Sequence, residues 1–398
     1  MHTVIIGGGV AGVKAALELS KRQLGKITLV SDEPYFLYHG TLYAAATGRN
    51  VAASVVSLED IFATYHDISV VRDTMKSVDP RRKLVIGAKK QYPYDTLVIA
   101  IGVVTTYFGI SGMATHSFGI KTVDEVHEFK KHLHSEIVAD QHMDKNYVII
   151  GGGLTGIELA GSLAGYLRDI AVAHQVQRAK INIKLIEAAP RLVPHLSPTA
   201  SKIARRRLEA LGVKVLTHHK VEAIKADVVT VEGVAIPTET AVWTSGVTNN
   251  PFFAAHPDYF RLSKDGRVEV NSYLGAYDHI YVLGDNASTP HAGRASTALH
   301  DARFIAKHLA RVATNRPLEA YRPLKVAASI PIGSKWAYTE KYGIYTTGLL
   351  GYAIRRLTEL TYLKALLPHN RAMSTWHAYT VQDEECELCR RKTDTTKP

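Results

Sequence analysis

Two glycine fingerprints stand in one chain, and each closes an apolar run and opens a helix-compatible one. The first reads Val4-Ile5-Ile6-Gly7-Gly8-Gly9-Val10-Ala11-Gly12, the second Val148-Ile149-Ile150-Gly151-Gly152-Gly153-Leu154-Thr155-Gly156. Glycines cluster in many turns, so a single G-x-G-x-x-G says little. Two copies in a strand–turn–helix setting imply two dinucleotide ligands held by two Rossmann-like α/β domains. Gly7 and Gly151 would make the tight turns, and Gly9 and Gly153 would let the backbone approach a pyrophosphate. Gly12 and Gly156 would let each helix pack closely on its sheet. The helix amides that follow would face the phosphates, which brings Val10, Ala11 and Thr155 into the cofactor-binding set.

The strand after each fingerprint should end on an acid that accepts from a ribose hydroxyl. After the first, Ile27 to Val30 leads into Ser31 and Asp32, and Asp32 lies 20 residues beyond Gly12. The choice between Ser31 and Asp32 stays open. After the second, Ile183 to Ile186 ends on Glu187, 31 residues beyond Gly156, with the polar stretch Gly165 to Lys180 taking up the excess. A carboxylate there accepts from both ribose hydroxyls and repels a 2′-phosphate, which favours NADH over NADPH; Arg191 argues the other way.

At 398 residues, 46% hydrophobic and 21% charged, the chain has the make-up of a soluble protein of two or three domains. No apolar run is long enough to span a bilayer. Met1 leads almost directly into the first strand, which leaves no room for a signal peptide. The two cysteines, Cys386 and Cys389, exclude a disulfide framework and suit a reducing cytosol. Their C-x-x-C spacing fits a redox dithiol or half of a zinc site that a partner chain would complete, so no metal centre is expected within the chain. The formal charge of +11 calls for an anionic partner. No nucleic-acid motif is present and aromatics do not interleave with the basic residues, which leaves a lipid surface as the expected partner.

Two further runs complete the pattern. Tyr94-Asp95-Thr96-Leu97-Val98-Ile99-Ala100-Ile101-Gly102 is a buried strand ending in small residues, and Ile280-Tyr281-Val282-Leu283-Gly284-Asp285-Asn286-Ala287 delivers an acid at a strand end. Fingerprint, Y-D-x-L-V-I-A-x-G, second fingerprint and Gly-Asp, in that order, resemble the flavoproteins with two dinucleotide-binding domains. Within these the chain is most similar to the type II NADH:quinone oxidoreductases. That similarity rests on Asp32-Glu33-Pro34-Tyr35-Phe36-Leu37-Tyr38, on Gly153 to Gly161 and on Val242-Trp243-Thr244-Ser245-Gly246-Val247. It covers residues 1–315 well and the remainder loosely.

The resemblance implies that the first fingerprint, Met75, Ala100, Gly102, Gly284 and Asp285 bind FAD, that Gly246 belongs to the cofactor site, and that Glu158 lies by the flavin–nicotinamide contact as a catalytic residue. The alternative for Glu158 is a carboxylate that complements its helix dipole. Disulfide reductases of this group carry a cysteine pair after the first fingerprint, and sulfide:quinone oxidoreductases carry cysteines near the flavin. Neither set exists here, so the flavin should reduce its acceptor directly. In the resembling family an Ala-Gln-x-x-x-Gln pattern after Gly-Asp lines the quinone site. Here Ala295-Ser296-Thr297-Ala298-Leu299-His300 offers Ser296 and His300 instead.

Residues 316 to 379 hold nine Lys/Arg against three Asp/Glu. Thr347 to Leu367 reads as a helix with Leu350, Ile354, Leu357, Leu360, Leu363 and Leu367 on one drifting stripe, Arg355 and Arg356 off it, and Lys364 at its margin. Tyr345, Tyr352, Tyr362 and Trp376 suit a headgroup boundary, so an in-plane membrane contact is expected; a homodimer contact or packing on the FAD domain is the alternative. The expected organisation is FAD domain 1–112 and 251–316, NADH domain 113–250 inserted in it, and a C-terminal region 317–398. The activity expected is NADH oxidation through FAD with reduction of a menaquinone or ubiquinone, without proton pumping, at the cytoplasmic face of the membrane. A soluble ferredoxin- or rubredoxin-type reductase, or a non-catalytic NADH-sensing flavoprotein, would carry the same fingerprints.

Overall fold

The computed structural model describes residues 1–139, 143–176, 181–324 and 327–383. Each fingerprint opens a parallel sheet whose central strands are buried on both faces and read as unbroken apolar runs. The first sheet runs in the order Gly275–Tyr277, Ile280–Val282, Thr96–Ile99, His2–Ile6, Lys26–Ser31, Ile68–Arg72. All its pairings are parallel except the edge strand Gly275–Tyr277. The second sheet, Val213–Thr217, Ile183–Glu187, Tyr147–Ile150 and Thr240–Trp243, is parallel throughout. Three-stranded antiparallel meanders, Met75–Asp79 to Gln91–Pro93 and Val221–Lys225 to Val234–Pro237, accompany the two sheets.

The chain crosses from the first lobe to the second and back along two strands that pair with each other. Val103–Thr105 runs antiparallel to Val247–Asn249. Trp243 reinforces the crossing, since its indole Nε1 donates to the Thr106 carbonyl at 3.0 Å and its ring lies near Tyr107 and Phe108.

The last part of the chain departs from expectation in two respects. Before the helix it forms a three-stranded antiparallel sheet, Ala328–Pro331, Ala337–Lys341 and Ile344–Thr346, which the sequence reading did not contain. The helix Gly348–Leu366 is where expected, but its charged side faces the protein. Arg355, Arg356 and Glu359 are buried, whereas Leu349, Leu350 and Leu357 are 68%, 64% and 61% exposed. Only the lower end of the anticipated stripe, Leu363 and Leu367, joins the core of the first lobe. The inward charges persist because they are paired: Arg356 bonds Glu359 at 2.8 Å and the Trp376 carbonyl at 2.5 Å. Its guanidinium also sits 4.7 Å from the Trp376 ring and 4.2 Å from that of Tyr379. Trp376, expected at a headgroup boundary, instead donates to the Arg356 carbonyl and fastens the helix His369–Ala378 to its neighbour. Among the described residues no helix is long and apolar enough to cross a membrane. Cys386 and Cys389 lie outside the described residues.

Candidate active site

The two fingerprints build the same cradle twice. A side chain at Gly7 would strike the Ala100 carbonyl, and one at Gly12 the Gly7 carbonyl. At Gly151 and Gly156 it would strike Ser245 and the Gly151 carbonyl. Beside these crowded positions, Gly9 and Gly153 have no neighbour within 4 Å of where a Cβ would stand. Both are the N-caps of their helices, Val10–Lys21 and Leu154–Ala173. Neither helix start has a side-chain cap or an acid in its first turn. Unused N–H groups, the positive end of a helix dipole and open space together form a phosphate seat. The residues present therefore fit two dinucleotides.

Around the first seat the strand-end residues divide their roles. Ser31 is buried beneath Gly8, while Asp32 is exposed at the strand end and spends one carboxylate oxygen on the Glu33 amide. Asp32 is the group with room to accept from a ribose. Met75, half-buried, packs on the core beneath the first sheet. Gly102, with φ +70° and open space at its Cβ position, is held by Asn286. The Asn286 amide accepts from Gly102 N–H at 2.8 Å, donates to the Gly102 carbonyl at 2.6 Å and donates to Asn249 at 2.7 Å. This clasp joins the Gly-Asp turn, the end of strand Thr96–Ile99 and the returning crossover strand. In the sequence Asn286 is only the residue after Gly-Asp, because its partners lie up to 184 residues away. Asp285 accepts from Gly293 N–H at 3.1 Å, and burial pushes its carboxyl up, against the pull of Arg267 and Lys121. Lys121 is itself pushed down by burial and donates to the Val103 carbonyl at 2.8 Å.

Around the second seat, Glu187 ends its strand as expected and turns its carboxylate onto Gly152 N–H at 2.5 Å and Ala189 N–H at 2.6 Å. Arg191, the residue that argued for a 2′-phosphate, is committed elsewhere. Its guanidinium donates to the carbonyls of Val193, Pro194 and Leu196 and to Ser201, which folds the loop instead of greeting a ligand. Thr155 is exposed in the first helical turn, and Gly246, at φ +75°, lies against Phe108 and the Thr106 carbonyl.

Glu158 sits one turn into the second fingerprint helix, 9% exposed. Burial pushes its carboxyl up to about 8, with Glu359 adding to the rise and Arg355 opposing it. Among the described residues nothing hydrogen-bonds it. Three parts of the chain meet there. Arg355 comes from the helix Gly348–Leu366 and donates to the Gly40 carbonyl at 3.1 Å; Tyr38 and Tyr43 come from the first lobe. The Tyr43 hydroxyl pairs with that of Tyr379 at 2.9 Å. Among the described residues Arg355 Nε and Glu359 Oε1 have no hydrogen-bond partner. None of these surroundings was legible before, since Arg355 reads as an exposed basic residue on an apolar helix.

Ser296 and His300 lie on the helix Ala295–Ala313. Ser296 is half-buried in its first turn. His300 is already engaged: its Nε2 meets the Arg322 carbonyl at 2.8 Å and its ring lies 5.3 Å from that of Tyr321.

The geometry has counterparts among known proteins. The family described as pyridine nucleotide-disulphide oxidoreductase matches residues 1–302. A type II NADH:quinone oxidoreductase of Staphylococcus aureus is 26% identical over 353 residues, covering 83% of this chain and 87% of the relative. In structure, NDH2 from Plasmodium falciparum, solved in complex with NADH, superposes with a TM-score of 0.85 at 14% identity, over 95% of this chain and 97% of that one. The sulfide:quinone oxidoreductase of Aquifex aeolicus superposes with a TM-score of 0.78 at 22% identity, over 93% and 92%. These likenesses establish the fold of the two lobes and of the C-terminal region.

Proposed function

Since the chain belongs to the pyridine nucleotide-disulphide oxidoreductase family, we propose that it is a peripheral membrane flavoenzyme that oxidises NADH through FAD and reduces a membrane quinone. The observation that carries this reading is the duplicated open cradle, one copy in each lobe, with Glu158 at the junction between them. FAD, when bound, supplies the hydride acceptor and the one- and two-electron chemistry that links nicotinamide to quinone.

The chain's own residues then have definable tasks. The Gly7–Gly12 turn, Asp32, Met75, Gly102 and Asp285 hold FAD; the Gly151–Gly156 turn, Thr155, Glu187 and Gly246 hold NADH. Glu187 selects against a 2′-phosphate, and Arg191 offers that phosphate nothing. Quinone reduction consumes protons as well as electrons. Glu158 holds a proton at neutral pH because burial disfavours its charged form. It is placed to give that proton up, and Arg355 stabilises the carboxylate that remains. The two cysteines of the chain are residues 386 and 389, so no dithiol stands in the first lobe to intercept the electrons. Ser296 remains the side chain proposed to meet a quinone carbonyl, while His300 would have to release the Arg322 carbonyl to do so.

The outward apolar side of the helix Gly348–Leu366 continues the reading to the membrane. Tyr342, Ile344 and Tyr345 of the preceding hairpin are exposed together with Leu349, Leu350, Ile354 and Leu357. Lys335 and Lys341 are exposed beside them. An apolar and aromatic surface rimmed by lysines suits an anionic bilayer entered in-plane. A cytoplasmic source of NADH supports a position at the cytoplasmic face, and the want of a spanning helix among the described residues supports electron transfer without proton pumping.

The test is anaerobic. NADH should bleach the bound flavin, and menaquinone or ubiquinone should restore its colour. A flavin that bleaches but recovers only with ferredoxin would favour the soluble-reductase reading. One that forms a lasting charge-transfer band and reduces no acceptor would favour the sensor.

A further inference from the structure

A buried carboxylate stands behind the Gly-Asp turn. Asp301, on the helix Ala295–Ala313, is wholly buried. Its Oδ2 accepts from Gly284 N–H at 3.0 Å, and its Oδ1 accepts from the Tyr321 hydroxyl at 2.7 Å. The titratable groups that act on it are Tyr321, His300 and Asp285. A buried carboxylate without a cationic partner costs free energy unless strong donors satisfy it, and these two donors do.

Gly284 has φ +66°, and a side chain there would stand 3.3 Å from Ala11 of the first fingerprint. The turn it opens presents Asp285 and Asn286. A glycine has wide conformational freedom, so this turn needs an external hold to keep one orientation. Tyr321 supplies the far end of that hold. It lies beyond the helix, in the segment leading to the C-terminal region, where its own N–H donates to the Ser272 carbonyl at 2.7 Å. Phe304 meets its ring edge-on at 5.2 Å and His300 lies at 5.3 Å.

We propose that Asp301 and Tyr321 form a clamp that positions the Gly284–Asn286 turn for FAD, and that through it the segment entering the C-terminal region controls how tightly the cofactor is held. This rests on the reading that the first cradle and Asp285 bind FAD. Asp301 and Tyr321 are positioning residues; neither needs to touch the cofactor.

The experiment uses full-length protein stripped of flavin, with FAD binding followed by the quenching of its fluorescence and folding by circular dichroism. Tyr321→Phe keeps the ring packing and removes one hydrogen bond to a charged acceptor. The FAD Kd should rise about tenfold in a protein that circular dichroism shows to be folded, with the apoprotein's melting temperature lowered by only a few degrees because Gly284 still satisfies Asp301. Asp301→Asn keeps the shape but sets a neutral amide with one oxygen where two donors meet a carboxylate, so it mimics the protonated acid and its Kd at pH 7.5 should already be raised several-fold. Burial places the Asp301 carboxyl at about 6. Wild-type affinity for FAD should therefore weaken as pH falls through that value, and Asp301→Asn should show less of this decline, with Asp285 accounting for the rest. A Tyr321→Phe protein that binds FAD as tightly as wild type would overturn the clamp, as would an Asp301→Asn protein with an unchanged pH profile. A wild type that takes up no FAD would overturn the underlying reading as well, which distinguishes the two failures.

Discussion

At the scale of single residues, the carboxylates kept from water carry the sharpest expectations. Glu158→Gln removes the exchangeable proton but keeps the shape. Bleaching by NADH should survive, while reoxidation by quinone slows on the order of 10²-fold. The wild-type rate should decline as pH rises through about 8, and the variant's should be flat. Stopped-flow reoxidation across pH 6 to 9 measures both.

Glu136 makes a prediction about stability. It is buried, accepts from Tyr147 at 3.1 Å and from Thr240 at 3.3 Å, and burial with Asp144 nearby pushes it up to about 7 from an ordinary 4.5. The folded protein therefore keeps a proton that the unfolded chain releases above about 4.5. Stability contributed here is present at low pH and is lost as pH climbs through 7. Denaturant midpoints at pH 5.5 and 8 should converge in Glu136→Gln by about 1–2 kcal/mol once solvent screening is allowed for. Coenzyme choice is also a one-residue matter: Glu187→Ala should narrow the preference for NADH over NADPH, read as the ratio of kcat/KM values.

At the scale of elements, what could be read in advance and what could not have a common physical cause. The glycine turns, their strands and the position of Glu187 at a strand end were legible because a phosphate seat demands fixed residue types at fixed short spacing, whereas the choice between Ser31 and Asp32 stayed open because both stand at the strand end. The helix Gly348–Leu366 was legible in extent and, over Leu350, Ile354 and Leu357, in the outward turn of its apolar stripe, but the burial of its charged side was not. Periodicity shows that a helix has two unlike sides, and apolar sides usually turn inward. Here Arg355, Arg356 and Glu359 turn inward, and their partners Trp376, Tyr379 and Gly40 are remote in sequence or unremarkable in it. The same remoteness hid Asn286 and Asp301. Arg356→Met should therefore do more harm than a surface charge would, since it leaves Glu359 buried without its ion-pair partner; a loss of about 3 kcal/mol in chemical denaturation is expected. Leu350→Asp with Leu357→Asp should act oppositely. Stability and bleaching by NADH should be retained, and co-flotation with anionic vesicles in 0.5 M salt should be lost.

At the scale of the whole molecule, charge and shape cooperate. A protein of net charge +11 approaching an anionic bilayer is drawn in over roughly a Debye length, about 8 Å at physiological salt, and is then held by apolar contact. Vesicle binding should weaken as salt is raised from 0.05 to 0.5 M but not vanish, and its remainder should disappear in the Leu350 and Leu357 double variant. In the proposed membrane-bound state the two lobes would meet this surface through one element. The helix Gly348–Leu366 turns leucines outward and sets Arg355 beside Glu158 inward. Any tilt of that rod in the proposed membrane-bound state would swing the guanidinium relative to the carboxyl and reset how firmly the proton is kept. Landing on the lipid and arming the acid would then be two ends of one lever.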